Sequence, residues 1–378
     1  MKVVIASDSF KGSLDSLGVA RAAAEGFLSV MPDAEITALS VADGGEGLTE
    51  SLMHSLGGVK VGKIVADPLF RPIEAFYGVK DDTAIIEMAA ASGLTLLKDD
   101  ERNPMETTTF GTGELILDAL DRGCRKFLVG IGGSATSDGG LGMLSALGWR
   151  FLDRSGTLLP GTGASLEAVH SIDDSNVDPR LGACSFTVAC DVTNPFCGPS
   201  GAAFVFSPQK GATPEMVRDL DRGLAGFAKV IAAKYGIDVS ALEGAGAAGG
   251  LGGAFSAFLP STLRSGIEMV LDTIKFDKAL EGADLVITGE GKVDRQTPGG
   301  KTAAGVLKRA LKAGVPCVAI GGMVEMCPEL DAAGFAGVFP IVDGPCALEE
   351  AMKPETAAAN VKRTVAQIAL LLKRFKKD

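Results

Sequence analysis

One arrangement recurs along this chain and limits what it can fold into: a short apolar run that stops at a turn of glycines, acids and hydroxyls. KVVIA (2–6) runs into Ser7-Asp8-Ser9, and EITALSVA (35–42) into Asp43-Gly44-Gly45-Glu46-Gly47. KFLVGI (126–131) meets GGSATSDGGLG (132–142), and DLVIT (284–288) meets a long charged loop. Unbroken apolar runs of this length read as strands buried on both faces, which belong to parallel sheets covered by helices. Helical patterns alternate with them: Ser16–Met31 before Pro32, and a helix ending at Leu56 that Gly57-Gly58 closes. Strand, helix, strand, helix opens a parallel α/β sheet. The turns account for the glycine content, 50 of 378 residues, against a usual ~7%. At roughly 150 residues per domain, the length fits two or three domains.

The pattern changes after the second helix. RPIEAFYGV (71–79) and TAIIEMA (83–89) flank Lys80-Asp81-Asp82 and read as a β-hairpin. Residues 150–210 alternate short strands with Gly/Pro turns, and 216–236 form an amphipathic helix. The first pattern returns with DLVIT, a helix over 302–314, VPCVAIGG (315–322), GVFPIV (337–342) and a closing amphipathic helix. The expected fold class is α/β. Residues 1–66 plus 284–378 make one discontinuous domain with a doubly wound, mostly parallel sheet. Residues 67–283 make an inserted mixed α+β domain, and the strand at 126–131 can belong to either. GGLGMLSALG (139–148) faintly echoes GGLGGAFSAFL (249–259), but no fixed-period repeat is present.

Several function classes drop out. A net charge of −11 repels nucleic-acid phosphates and anionic lipid surfaces. No window approaches the ~18 apolar residues of a membrane span, and the four-residue apolar run at the start is too short for an export signal. The expectation is a cytoplasmic protein with neither nucleic-acid nor membrane partners. Seven cysteines lack any CxxC pair, and His54 and His170 stand far apart. The thiols read as idle, and no standard zinc site forms. No HRD loop, GxSxG elbow or HExxH occurs, and GIGGSA (130–135) does not complete a dinucleotide fingerprint. Gly300-Lys301-Thr302 resembles the end of a Walker A loop, but Arg295 stands where that motif needs glycine.

Carboxylates, lysines, arginines and loop amides remain as chemical tools. Open α/β sheets bind ligands at the carboxyl ends of their strands. Amides at Gly132, Gly133 and Ser134 suit a phosphate or substrate there. Asp8, Ser9, Lys11 and Ser13 follow the first strand and suit a small anion. Asp43 and Glu46 hold the same place after the second. Glu290, Lys292, Asp294, Arg295 and Lys301 share one loop, where acids can hold a metal beside cations that meet phosphates. Asp191 stands at a strand-to-turn position before Asn194-Pro195, with Lys210 farther on.

SDSFKGS (7–13), ADGGEG (42–47), DPLFRPI (67–73), TTTFGTGELI (107–116), GIGGSATSDGGLGML (130–144), CDVTNP (190–195), SPQKGA (207–212), GAAGGLGG (246–253) and TGEGKVDRQTPGGK (288–301) stand in order. This set resembles the glycerate kinase type-1 family, bacterial enzymes of glyoxylate and sugar-acid catabolism, over nearly the whole chain. The resemblance implies two unlike α/β domains, one Rossmann-like, with the active site in the cleft between them. It implies ATP- and Mg2+-dependent phosphorylation of D-glycerate, at the 2-hydroxyl in members similar to this one. Product at the 3-hydroxyl, another small hydroxy acid as acceptor, and a non-catalytic sugar-acid sensor stay open, as does a homodimer.

Residue type and loop position then suggest roles. Lys11, with Arg71 second, can hold the glycerate carboxylate, and Ser9 and Ser134 can contact substrate. With no plausible catalytic histidine, the base is most simply an aspartate: Asp191, with Asp8 second. Glu290 and Asp294 are the Mg2+ candidates. Gly132, Gly133, Ser134, Gly299, Gly300 and Lys301 are candidates for the ATP phosphates.

Overall fold

A computed structural model describes residues 1–375 except Asp43, Glu46, Gly300 and Lys301. Its strands are β1 (Lys2–Ser7), β2 (Glu35–Ser40), β3 (Val59–Ala66), β4 (Pro72–Lys80), β5 (Thr83–Glu87), β6 (Lys126–Gly130), β7 (Arg150–Leu152), β8 (Ser171–Asp173), β9 (Ser185–Ala189), β10 (Ser261–Arg264), β11 (Leu285–Val293), β12 (Cys317–Val324) and β13 (Gly337–Pro340). Packing divides the chain into two units. The first holds Met1–Asp43, Glu50–Leu56 and Ile267–Asp378; the second holds Gly44–Thr49 and Gly57–Gly266. The sequence reading drew these divisions near 66 and 284. Residues 59–66 go with the second unit because β3 pairs with β4 along its whole length, from Val59–Val79 to Ala66–Pro72.

The first unit is a parallel sheet in the order β13-β12-β11-β1-β2. Counted along the unit, this is the doubly wound order 2-1-3-4-5, which reverses direction between β1 and β11. On one face Val3, Ile5, Leu285, Ile287, Val318 and Ile320 pack with Phe27, Val361, Val365 and Ile368. Those last residues come from helices Ser16–Leu28 and Pro354–Phe375. Asp15 starts the earlier helix by accepting from Gly18 N at 2.6 Å. The two helices touch at Gly26, where a Cβ would lie 2.3 Å from the Lys362 carbonyl oxygen. Alternate strand residues such as Val4, Val286 and Ala319 face the other way, and helix Thr302–Lys312 contacts β11 and β1. A fully buried Phe27 or Ile5 contributes about 1.5–3 kcal/mol.

The second unit is a mixed sheet in the order β10-β9-β6-β5-β4-β3. Its first four strands are parallel; β4 runs antiparallel to β5, and β3 runs antiparallel to β4 and so in the direction of β5. The strand at 126–130 is therefore central here, between β5 and β9. Phe127 stacks on Phe186 at 4.5 Å between centroids. The echoing segments touch. Gly139 N donates to the Gly249 carbonyl at 3.0 Å, and a Cβ on Gly140 would lie 2.4 Å from the Ala254 Cβ. Ala248, Gly249 and Gly250 all adopt positive φ. β7 and β8 form a separate two-stranded pair.

Candidate functional site

In the first unit the strand order places the switch point between β1 and β11, and the polar loops gather there. Asp8 N donates to the Gly289 carbonyl at 3.0 Å, tying the end of β1 to β11. The Asp8 Oδ1 accepts from Ser9 N at 2.7 Å, and Oδ2 accepts from the Thr302 hydroxyl at 2.9 Å. β11 and β12 stay paired from Val286–Cys317 to Val293–Val324, well past Ile5–Ile287, where β1 leaves β11. This two-stranded extension walls a cavity of about 700 Å³ whose lining includes Asp8, Ser9, Lys11, Glu290 and Lys292. Thr297 donates to Glu290 Oε1. Lys11 is exposed and makes no ion pair among the described residues.

Asp294 does not line that cavity. Its Oδ1 accepts from Gln296 N at 2.8 Å, and its Oδ2 pairs with Lys292 at 2.8 Å. The Lys292 ammonium is the main reason its carboxyl lies below the usual carboxylate range. Asp294 thus shapes its own turn. Gly299 is exposed, with open space where a Cβ would be. Gly300 and Lys301 lie outside the described residues, as do Asp43 and Glu46.

In the second unit the corresponding edge is the carboxyl end of β5, β6 and β9. The Gly44-Gly45 turn lies against it. A Cβ on Gly130 would sit 2.5 Å from the Gly44 carbonyl oxygen, and one on Gly44 would meet the Ala189 Cβ at 2.6 Å. Only glycine permits this approach, and Gly44 also has a φ of +87°. Asp191, just beyond β9, is exposed, and its Oδ1 accepts from Gly266 N at 3.0 Å. Gly132 and Gly133 are exposed, and Ser134 is half-buried.

The loop that carries them is held from below. Lys210 is 1% exposed. Its Nζ donates to Ser134 Oγ at 2.9 Å and to the Thr136 carbonyl at 2.5 Å. Burial pushes its pKa down to about 7, and two of its donors are taken up by these two acceptors. Asp138 is fully buried and accepts from Thr109 N (2.8 Å), Thr109 Oγ1 (2.7 Å), Gly140 N (3.0 Å) and Gly142 N (3.1 Å). Burial pushes its carboxyl up, and these donors oppose the shift. Asp138, a loop acid in the sequence reading, joins the starts of helices Phe110–Asp121 and Leu141–Ala146.

Arg71 lies at the turn between β3 and β4. Its Nε pairs with Asp67 at 2.6 Å and its Nη1 with Glu101 at 2.7 Å. Two carboxylates already satisfy the guanidinium. The sequence reading gave Lys210 no role and passed over Glu87, the last residue of β5. Glu87 Oε1 accepts from Thr49 N at 2.7 Å and Oε2 from Gly47 N at 3.3 Å, so it orders the start of helix Leu48–Leu56. An acid ending an apolar strand (TAIIE) was the available signal.

Fold and site together define a two-unit α/β enzyme whose polar loops collect at the carboxyl ends of parallel strands. The glycerate kinase family model matches residues 3–373. A glycerate kinase from Bacillus cereus is 48% identical, with 99% of this chain and 98% of the relative covered. A glycerate 2-kinase from Escherichia coli is 43% identical over 98% of both chains. A solved structure described as that of a glycerate kinase 2 from Salmonella typhimurium LT2 superposes with a TM-score of 0.91 at 46% identity, covering 99% of this chain and 98% of that one. The chain belongs to the glycerate kinase family. All seven cysteines are free thiols, and no helix among the described residues is long and apolar enough to cross a membrane.

Proposed function

We propose that this protein phosphorylates D-glycerate with ATP, at the 2-hydroxyl, giving 2-phosphoglycerate and ADP. Full-length similarity to glycerate kinases carries the reading, and the E. coli relative named glycerate 2-kinase supports the position of transfer. Phosphoryl transfer asks a protein for positioning, charge neutralisation and a proton acceptor. Asp191 is the base: it is an exposed carboxylate beside the glycine loops of the second unit. Ser134, held by Lys210, and the Gly132-Gly133 turn contact substrate or phosphate. Lys11, exposed at the end of β1, neutralises anionic charge.

Among the described residues no group of three or more His, Cys, Asp or Glu side chains gathers into a metal cage. Mg2+ in kinases usually takes one or two carboxylates, with phosphates and water completing its shell. Asp8 and Glu290, which line one cavity, fit that requirement, and Asp294, turned into its own loop, fits it less well. Bound there, Mg2+ would neutralise phosphate charge. The free thiols support a reducing, cytoplasmic setting.

The test is purified protein with ATP, Mg2+ and D-glycerate, the product being resolved by ³¹P NMR. A 2-phosphoglycerate signal is expected. A 3-phosphoglycerate signal would overturn the position of transfer and keep the kinase; no phosphorylated acid from folded protein would overturn both.

A further inference from the structure

The first unit's cavity is far larger than a three-carbon hydroxy acid needs, and half of it has the wrong chemistry for one. At about 700 Å³ it lies within the usual range for a drug-sized ligand. One end carries Asp8 and Lys11, from the loop after β1, with Glu290 and Lys292, from the part of β11 beyond its pairing with β1. The other is lined by Met323, Ile341, Val342, Leu348 and Met352. Met323 and Leu348 are 56% and 73% exposed. Glycerate, with a carboxylate and two hydroxyls on three carbons, has no apolar face to set against them. A purine does: a flat ring slides between aliphatic and thioether walls, and methionine adapts to it. The span from an apolar end to a charged end, where Lys11 stands beside the Asp8 and Glu290 carboxylates, at a doubly wound switch point matches a nucleoside whose phosphates point toward Lys11.

We infer that this cavity is the nucleotide site, with the adenine ring between Met323, Leu348 and Met352 and the phosphates toward Lys11. The inference rests on the ATP-dependent reading above and adds to it the residues that hold the base. None of the apolar residues belongs to the glycine loops from which a phosphate site was expected. The site is built wholly within the first unit.

Cys346 lines the same cavity and is exposed, so it reports occupancy. Cys327 is a half-exposed thiol that does not line it and serves as the internal control. The experiment pulses the full-length protein with N-ethylmaleimide and reads each cysteine by peptide mass spectrometry. Saturating ADP with Mg2+ is expected to slow Cys346 about tenfold relative to Cys327, while tripolyphosphate alone and D-glycerate alone leave it reactive. In parallel, Met323→Glu and Leu348→Asp are made; both positions are exposed, so folding tolerates them. Each is expected to raise the ATP KM by about tenfold and to leave the glycerate KM in place.

Full ATP-dependent glycerate kinase activity with no protection of Cys346 and an unchanged ATP KM in both variants would overturn the placement while the activity stands. Protection by glycerate or tripolyphosphate equal to that by ADP would overturn the adenine assignment. Protection by ADP in a protein that phosphorylates no glycerate would uphold the nucleotide site and refute the activity.

Discussion

Both units keep polar loops at the carboxyl ends of parallel strands, and they use them in opposite ways. In the first unit Asp8, Lys11 and Glu290 surround open space, and the β11–β12 extension holds that space apart. In the second, glycine turns press backbone against backbone, and the ionic groups below them, Asp138 and Lys210, are buried and hydrogen-bonded. The first arrangement suits a large ligand that enters and leaves. The second suits atoms that must not move, because a carboxylate with four donors has one acceptable position.

The sharpest way to break it is Asp191→Asn. The amide keeps the acceptor toward Gly266 but cannot take a proton, so kcat should fall on the order of 10²–10⁴-fold with an unchanged circular dichroism spectrum. Near-normal turnover would move the base elsewhere. Next is Asp138→Ala, which strands four buried donors. Urea unfolding should show a loss of about 3–5 kcal/mol; a loss below about 1 kcal/mol would mean that the loop is not anchored as described.

A third prediction concerns pH. Burial holds Lys210 at about 7, against 10.5 for an ordinary lysine. Between those values the unfolded chain binds the additional proton, so stability against unfolding should rise with pH across that window. The destabilisation is complete below about 7. For one proton the slope is at most about 1.4 kcal/mol per pH unit. Lys210→Met should flatten it, as measured by denaturant melts at a series of pH values; equal slopes would place the charge elsewhere. The smallest effect is expected from Arg71→Ala. Its guanidinium is engaged by Asp67 and Glu101, so the glycerate KM should change by less than about twofold. A larger rise would return Arg71 to the substrate.

Much of the layout was legible because apolar runs and glycine stops are local signals. They located β1, β2, β6, β11 and β12, and they put Asp8, Lys11 and Asp191 at strand ends; they stopped β11 at Thr288 and left Glu290 in a loop, whereas pairing with β12 carries the strand through Glu290 to Val293. Partnership is not local. Nothing near Asp138 shows that Thr109 will meet it, and nothing near Lys210 shows that it will be buried under Ser134. Arg71 read as an available cation because Glu101, thirty positions away, gives no sign of reaching it. The apolar half of the cavity escaped notice for a related reason: Met323, Leu348 and Met352 look like ordinary core residues until the fold leaves space beside them.

The place of β1 in its sheet has a consequence for how the molecule is made. β1 lies between β2 and β11, so its second neighbour begins only at Leu285. During synthesis, at about 5–20 residues per second, one edge of a strand whose Val3, Val4, Ile5 and Ala6 are fully buried in the fold waits for tens of seconds. The second unit's strands and helices are translated in that interval, before the sheet that brackets them in sequence can close. The nascent chain's period of greatest exposure to aggregation therefore belongs to the first unit, and it ends when β11 emerges.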